Sequence, residues 1–292
     1  MSMKLLFIVN PIAGNGSTLR ALPSIEEYCR QSNIEYSILK TEYKGHATQL
    51  ANEAAASLNF DGIVAVGGDG TVMEVANGLA GSPIPLGILP LGTGNDMAKA
   101  LSIPIDLNKA LSIIINGRTK SIDTVSYGSK HFFNVASVGF DAEIVRDIIK
   151  MKRWVSGKAA FYISALLKIF TYKDKYVYLE TDGNKYETYI LLLAIANGTH
   201  YGGGMCVNPN GSINDGYIDI ILVKPVPRYQ FLYLFPKFIK GQHLDLPYVT
   251  TFRCKSIGIS SNDNLPVNGD GDIITTTPVQ FSISDKPILV YY

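Results

Sequence analysis

Gly62-Ile63-Val64-Ala65-Val66-Gly67-Gly68-Asp69-Gly70-Thr71 is an apolar run that ends in a glycine turn. Val72-Met73-Glu74-Val75-Ala76-Asn77-Gly78-Leu79 follows it with helical spacing. The segment therefore reads as a strand feeding a helix through Gly67–Thr71. Three glycines in four positions let the backbone take positive φ and let a bulky anion approach closely. Unpaired N–H groups and the helix dipole favour a phosphate there. Asp69 is the odd element. A carboxylate repels a bare phosphate, so it implies a Mg²⁺ between the two or a proton to be taken. Taken alone, the pentad also fits a tight strand-to-helix turn without chemistry.

Outward from this turn, strand and helix alternate. Lys4–Asn10 is expected as a buried strand, Pro23–Ser32 as a helix with proline in its favoured first position, and Ile34–Thr41 as the next strand. His46–Leu58 follows as a helix, then the strand Gly62–Val66, the helix after the glycine turn, and the strand Pro85–Leu89. A helix runs through Met97–Leu101, and another over Asp106–Asn116, capped by Asp106 and stopped by Gly117. This alternation predicts a doubly wound parallel sheet, whose ligands bind at the carboxyl ends of the strands.

From about Thr119 the pattern changes. Strand-like runs dominate, at Ser121–Tyr127, His131–Ser137, Lys175–Thr181, Lys185–Ala196, Tyr217–Val223, Thr250–Ser260 and Val279–Ile283. Asp182-Gly183 is a hairpin signal. Helices are expected at Asp141–Lys152, Lys158–Thr171 and Pro227–Ile239. The second half is thus mainly antiparallel β, a sandwich or an open barrel.

The chain has 292 residues, 47% of them hydrophobic and 17% charged, enough for two domains and a sizeable core. A net charge of +1 argues against a dedicated nucleic-acid binder. Cys29, Cys206 and Cys254 lack metal-ligand spacing and read as reduced thiols of a cytoplasmic protein. The N-terminus lacks a signal-peptide core, and the apolar stretch near Tyr189–Ala196 is too short to span a bilayer.

Three strand-ending loops carry small and polar residues: Asn10-Pro11-Ile12-Ala13-Gly14-Asn15-Gly16, Gly67–Thr71, and Gly92-Thr93-Gly94-Asn95-Asp96. Such loops converge on one edge of a doubly wound sheet. Neither G-x-x-x-x-G-K-[ST] nor G-x-G-x-x-G/A occurs, which excludes a P-loop and a dinucleotide Rossmann site.

In this order and spacing, Asn10-Pro11-x-Ala13-Gly14, Gly67–Thr71 and Gly92–Asp96 resemble the diacylglycerol kinase catalytic domain, the family of soluble bacterial lipid kinases and of sphingosine and ceramide kinases. Thr41-x-x-x-Gly45-His46-Ala47 matches a fourth element of it. The resemblance implies an ATP-binding α/β domain of residues 1–124 plus the tail 280–292, a β-sandwich lipid-substrate domain of residues 125–279, and an active site in the cleft between them. It implies ATP contacts from Asn10, Pro11, Ile12, Ala13, Gly14, Thr41, Gly67, Gly68, Asp69, Gly70, Thr71 and Thr93. Asp69 would sit near a catalytic Mg²⁺, with Asp96 and Asp123 in a water-mediated acidic network around it. Phosphoryl transfer asks mainly for charge neutralisation and in-line positioning, which suits this set.

The resemblance also implies a structural Mg²⁺ at Ser212–Tyr217, held by the Asp215 side chain and the backbone of Ser212 and Tyr217; a plain hairpin turn is the alternative. Near the C-terminus, where the family has Asp-Gly-Glu with glutamate as the base, this chain has Asn268-Gly269-Asp270. Asp270 would be the base, one methylene shorter, and Asn268 loses a charge. His46 is expected to order the loop near the nucleotide, and His131, His200 and His243 to be structural or solvated. Lys150–Trp154, Phe161–Ile163 and Leu166–Phe170 combine basic and apolar groups that suit either an anionic bilayer or a core helix with snorkelling lysines.

The expected protein is a cytoplasmic kinase that visits the membrane surface. With ATP and Mg²⁺ it phosphorylates a lipid hydroxyl, diacylglycerol first among the candidates. An NAD kinase and a weakly active lipid- or nucleotide-binding regulator stand as alternatives. Acyl length and homodimer formation are left open by the sequence.

Overall fold

The computed structural model describes residues 2–151 and 158–292, with the side chains of 148–151 and 158–162 left out of the description. In chain order the elements begin with β1 Lys4–Val9, α1 Ser17–Gln31, β2 Glu35–Lys40, α2 His46–Ser57, β3 Gly62–Gly67, α3 Asp69–Leu79, β4 Leu86–Pro90, α4 Asp96–Ala100, α5 Leu107–Ile115 and β5 Thr119–Ile122. There follow β6 Val125–Tyr127, β7 Lys130–Phe132, β8 Val135–Gly139, α6 Phe140–Met151, α7 Lys158–Lys168, β9 Lys175–Thr181, β10 Asn184–Ile190, β11 Leu192–Ala196, β12 His200–Tyr201, β13 Met205–Cys206 and β14 Ile218–Val223. The chain closes with α8 Arg228–Ile239, β15 Val249–Cys254, β16 Ser256–Ser260, β17 Pro266–Gly269, β18 Asp272–Thr276, β19 Val279–Ile283 and β20 Ile288–Tyr291. It divides into two compact units, Met1–Thr124 with Ser284–Tyr292, and Val125–Ile283.

The first unit is built on a sheet of order β2-β1-β3-β4-β20-β5, parallel except for β5. β3 is buried along its whole length and β1 nearly so, which explains why both read as continuous apolar runs rather than alternating ones. The C-terminal strand β20 completes this sheet, with Val290 opposite Leu86 of β4, and Tyr291 donates its hydroxyl to the Asp61 carbonyl at 2.8 Å. Helix α1 starts at Ser17, six residues before the expected start, and carries Pro23 in its interior. Ser17 and Thr18 anchor that added turn by donating to the backbone oxygens of Leu91 and Asn10.

In the second unit two antiparallel sheets, β10-β9-β16-β19-β6-β7 and β15-β14-β11-β8-β17-β18, share one core that includes Phe132, Leu193, Ile195, Ile220, Ile257 and Phe281. The opposite faces of β8, β11 and β14 are apolar too. Val135, Leu192, Ala194 and Ile221 pack there against α6, α7 and α8. The sandwich therefore carries a helical third layer, and β11 is buried on both faces.

Four expected runs split between sheets. Ser121–Tyr127 changes sheet after Ile122, His131–Ser137 after Phe132, Lys185–Ala196 at Leu191 and Thr250–Ser260 at Lys255. The last crossing is held by Asp182, whose carboxylate accepts from the N–H of Lys255 and from the N–H and hydroxyl of Ser256. The return to the first unit comes at Ser284 rather than residue 280, because β19 pairs with β16 and β6.

Candidate active site

The three loops meet at the carboxyl edge of the parallel sheet. Asn10 donates its N–H to Val66 O at 3.1 Å and its Nδ2 to Thr71 Oγ1 at 3.1 Å, tying the first loop to the second. Leu91 N–H donates to Gly67 O at 3.0 Å, tying the third to the second. The contact is close enough to demand glycine. A Cβ on Gly92 would lie 2.2 Å from Gly68 Cα, and one on Gly14, whose φ is +55°, would lie 2.1 Å from Leu91 O. Asn95 takes a left-handed φ of 56° and stiffens the third loop, with Nδ2 donating to Pro90 O and Gly92 O and Oδ1 accepting from Gly92 N–H.

Gly68 caps the eleven-residue helix α3, and Asp69 opens it. Asp69 Oδ1 accepts from the N–H of Asp96 at 2.6 Å and of Met97 at 3.2 Å, so the same carboxylate also caps α4. Burial and the neighbouring Asp96 charge push the Asp69 carboxyl above its ordinary range, against the opposing pull of these N–H groups. Lys99 Nζ stands 3.0 Å from Asp96 Oδ1 and 2.7 Å from Gly94 O. Two neighbouring carboxylates beside a glycine-lined helix N-terminus fit a divalent cation carried by a polyphosphate.

Thr41, whose N–H donates to Val9 O, and Thr93, exposed at the loop tip, lie at this same edge, as do Pro11, Ile12, Ala13 and Gly70. Asp123 does not. β5 runs against β20, so Ile122 lies level with Ile288 while Val290 is level with the first residue of β4. Asp123 therefore stands at the amino edge of the sheet, about 20 Å along the strands from Asp69, outside the acidic pair. His46 orders its loop as expected. Its Nδ1 accepts from Glu42 N–H at 3.1 Å and its ring stacks on Tyr43 at 4.5 Å. Glu74, which sequence reasoning passed over, accepts from Gly45 and Ala47 N–H and seats α2.

In the second unit Asp270 adopts φ +49° and accepts from three backbone N–H groups: Phe133 at 3.1 Å, Asn134 at 3.2 Å and Val135 at 2.9 Å. Its carboxylate anchors the 268–271 turn to the start of β8, with two of these bonds on Oδ1 and one on Oδ2, which keeps a lone pair for a proton. Asn268 is fully buried. It accepts from Gly271 N–H and donates to Ser137 Oγ at 3.1 Å, and Ser137 in turn donates to Asp141 Oδ2 at 2.5 Å. An aspartate at 268 could not donate to Ser137, which gives the lost charge a structural reason.

Asp141 also lines a cavity with about 60 Å³ of water-accessible space, whose other walls include Phe140, Leu192, Phe231, Phe235 and His243. Sequence reasoning missed Asp141 as a cavity residue; a single carboxylate inside the apolar run Val138–Ala142 was the available signal.

At the Ser212–Tyr217 turn Asp215 Oδ1 accepts from Tyr217 N–H and its Oδ2 pairs with Arg253 at 2.9 Å, while Arg253 Nε reaches Asp219 at 2.7 Å, so a structural Mg²⁺ there would compete with the guanidinium for Asp215. Among the described residues no group of three or more His, Cys, Asp or Glu is placed to hold a metal.

A glycine-cradled carboxylate pair on an α/β unit, followed by an antiparallel sandwich, marks a kinase that transfers phosphate to a hydroxyl. Residues 4–127 match the diacylglycerol kinase catalytic domain, and residues 134–291 match the YegS C-terminal NAD kinase beta sandwich-like domain. The chain belongs to the diacylglycerol kinase catalytic-domain family and is a lipid kinase. It is 30% identical over 279 residues to a diacylglycerol kinase of Bacillus subtilis, covering 94% of this chain and 91% of that protein. With a diacylglycerol kinase of Mycobacterium tuberculosis it shares 32% over 289 residues, 96% of this chain and 92% of the other. A crystal structure of a diacylglycerol kinase from Bacillus anthracis is similar with a TM-score of 0.75 and 27% identity, over 99% of this chain and 96% of that one.

Proposed function

We propose that the chain transfers the γ-phosphoryl group of ATP, as its Mg²⁺ complex, to the free hydroxyl of diacylglycerol, giving phosphatidic acid. The observation that carries this is the meeting of Asp69 and Asp96 at the glycine-lined edge where the three loops converge. Asn10, Gly14, Thr41, Gly67–Thr71 and Thr93 would hold the nucleotide, and Asp96 would hold the Mg²⁺, which would supply charge neutralisation at the phosphates. The lipid oxygen forms the new bond to the γ-phosphorus as the bond to ADP breaks, and the hydroxyl proton passes to Asp69. Its Oδ1 is taken by two N–H groups, so the proton is received at Oδ2. The raised pKa of Asp69 makes it a better base at neutral pH.

The apolar cavity of the second unit suits acyl chains and gives nothing to the polar halves of NAD. Ile163, Leu167 and Phe170, on and just after α7, are all more than half exposed and offer an apolar face to a bilayer surface. The Lys152–Trp154 part of the basic stretch, and the side chains of Lys150, Met151, Phe161 and Tyr162, lie outside the described residues. Among the described residues no helix is long and apolar enough to cross a membrane, which is consistent with peripheral contact.

The test is a lipid-panel assay with ATP and Mg²⁺, read by mass spectrometry, with NAD as a parallel acceptor. Diacylglycerol should give phosphatidic acid, and NAD should give no NADP.

A further inference from the structure

None of the three loops at the sheet edge contains a lysine or an arginine. Asn10–Gly16, Gly67–Thr71 and Gly92–Asp96 offer a phosphate backbone N–H groups and short side chains, while Asp69 and Asp96 add negative charge beside it. A transferring phosphoryl group asks for positive charge at its oxygens. In a P-loop the loop's own lysine supplies part of it, in addition to the metal. This chain lacks that motif, so the charge has to come from outside the loops.

Lys99 is placed to bring it. It lies on α4, the five-residue helix into which the third loop opens. Its side chain turns back to that loop, where Nζ donates to Gly94 O at 2.7 Å and to Asp96 Oδ1 at 3.0 Å. The Asp96 N–H in turn donates to Asp69 Oδ1 at 2.6 Å, so Lys99, Asp96 and Asp69 form one bonded chain. The Lys99 side chain is 29% exposed, which keeps the ammonium within reach of a ligand while the loop shields it from bulk water. An ammonium has three N–H donors, and the bonds to Gly94 and Asp96 leave one for an incoming oxygen. Arg20 is also tied to these loops, through Nη1 and Asn15 O at 3.1 Å, but it bonds to neither carboxylate.

We infer that Lys99 is a catalytic residue whose ammonium bonds the γ-phosphoryl oxygens and neutralises the charge that builds there during transfer. The inference rests on the phosphotransfer reading of this edge and adds a residue that none of the three loop motifs contains. Gly94 and Asp96 pre-position the ammonium, so little reorganisation accompanies arrival of the phosphate. Lys99 neither gives nor takes a proton. The phosphorus still passes from the ADP oxygen to the lipid oxygen, and the hydroxyl proton still goes to Asp69.

The test compares wild type with Lys99→Gln, which removes the charge but keeps N–H donors, and with Lys99→Arg, which restores it. Binding of ADP and of the non-hydrolysable triphosphate AMP-PNP is measured by calorimetry on the purified full chain, with Mg²⁺ and again in EDTA. The thermal midpoint and kcat are measured beside it. Lys99→Gln should weaken AMP-PNP by about tenfold or more relative to ADP in both media. It should also lower kcat by about 10²–10³, and Lys99→Arg should recover much of both. If the Gln variant does not fold, the Lys99 Nζ resonance of the wild type, assigned by its loss in Lys99→Arg, should shift with AMP-PNP and not with ADP. Equal weakening of the two nucleotides makes Lys99 a brace for the third loop and overturns the inference, as do unchanged binding and kcat or an unmoved resonance. In those cases the kinase reading stands. A wild type that binds neither nucleotide removes both.

Discussion

Asp69 and Asp96 repel each other, yet they are bonded. The Asp69 carboxylate accepts the Asp96 N–H at 2.6 Å while the Asp96 side chain raises its pKa. The backbone N–H fixes where Asp69 sits, and the neighbouring charge sets how readily it takes a proton. These two effects can be separated by substitution.

Asp96→Asn keeps the backbone N–H and removes the charge. If Asp69 is the base, activity rises with pH as Asp69 ionises. Loss of the Asp96 charge should therefore move the acid limb of the kcat/KM profile to lower pH, whatever happens to its height. An unmoved limb would separate Asp69 from proton transfer.

Asp270→Asn presents an amide N–H to one or two of the backbone donors that the carboxylate now satisfies. The turn should lose about 1–3 kcal/mol in chemical denaturation, with kcat lowered by about tenfold at most. Unchanged stability with a loss of about a thousandfold in kcat would make Asp270 the base.

His243 gives a stability signature. Its pKa is about 4 when folded and ordinarily 6.5. Between these values the unfolded chain binds more protons, so the His243 contribution is present above pH 6.5 and is lost as pH falls towards 4. The full shift corresponds to about 3 kcal/mol at most. Asp141, on the same cavity wall, has a raised pKa, so its contribution runs in the opposite sense. The comparison is therefore wild type against His243→Phe. The variant should show a shallower fall in stability from pH 6.5 to 4, and equal slopes would show that His243 is not held neutral.

The fold was largely legible because both halves announce themselves by period. The buried β1 and β3 read as continuous apolar runs between helices, and Asp106 and Gly117 bracket α5 by capping chemistry alone. What escaped were features set by pairing. β10 and β11 read as one run because nothing local marks Leu191 as a change of sheet. β17 and β18 surround a glycine turn and have little apolar content. In the site, the three loops were visible as glycine patterns. The position of Asp123 was not, since it depends on β5 running antiparallel beside a strand from the far end of the chain. Likewise the pairing of Asp215 with Arg253 was not legible, since Arg253 lies 38 residues away (253 − 215) on β15.

Leu167 is 69% exposed on α7. Leu167→Asp should leave turnover of a short-chain, water-soluble diacylglycerol unchanged and lower the affinity for anionic phosphatidylglycerol vesicles in co-sedimentation by about tenfold or more, since one buried apolar side chain contributes about 1.5–3 kcal/mol. Equal sedimentation would place the bilayer contact elsewhere.

The central claim is that Asp69 drives phosphoryl transfer from ATP to a lipid hydroxyl. Its most direct test is the mass-spectrometric yield of phosphatidic acid from diacylglycerol, ATP and Mg²⁺, for wild type against Asp69→Asn. Asparagine keeps an oxygen for the Asp96 and Met97 N–H groups, so the variant should fold and bind nucleotide while kcat falls by about 10²–10⁴. Equal yields from the two proteins, or formation of NADP in place of any lipid phosphate, would contradict the account.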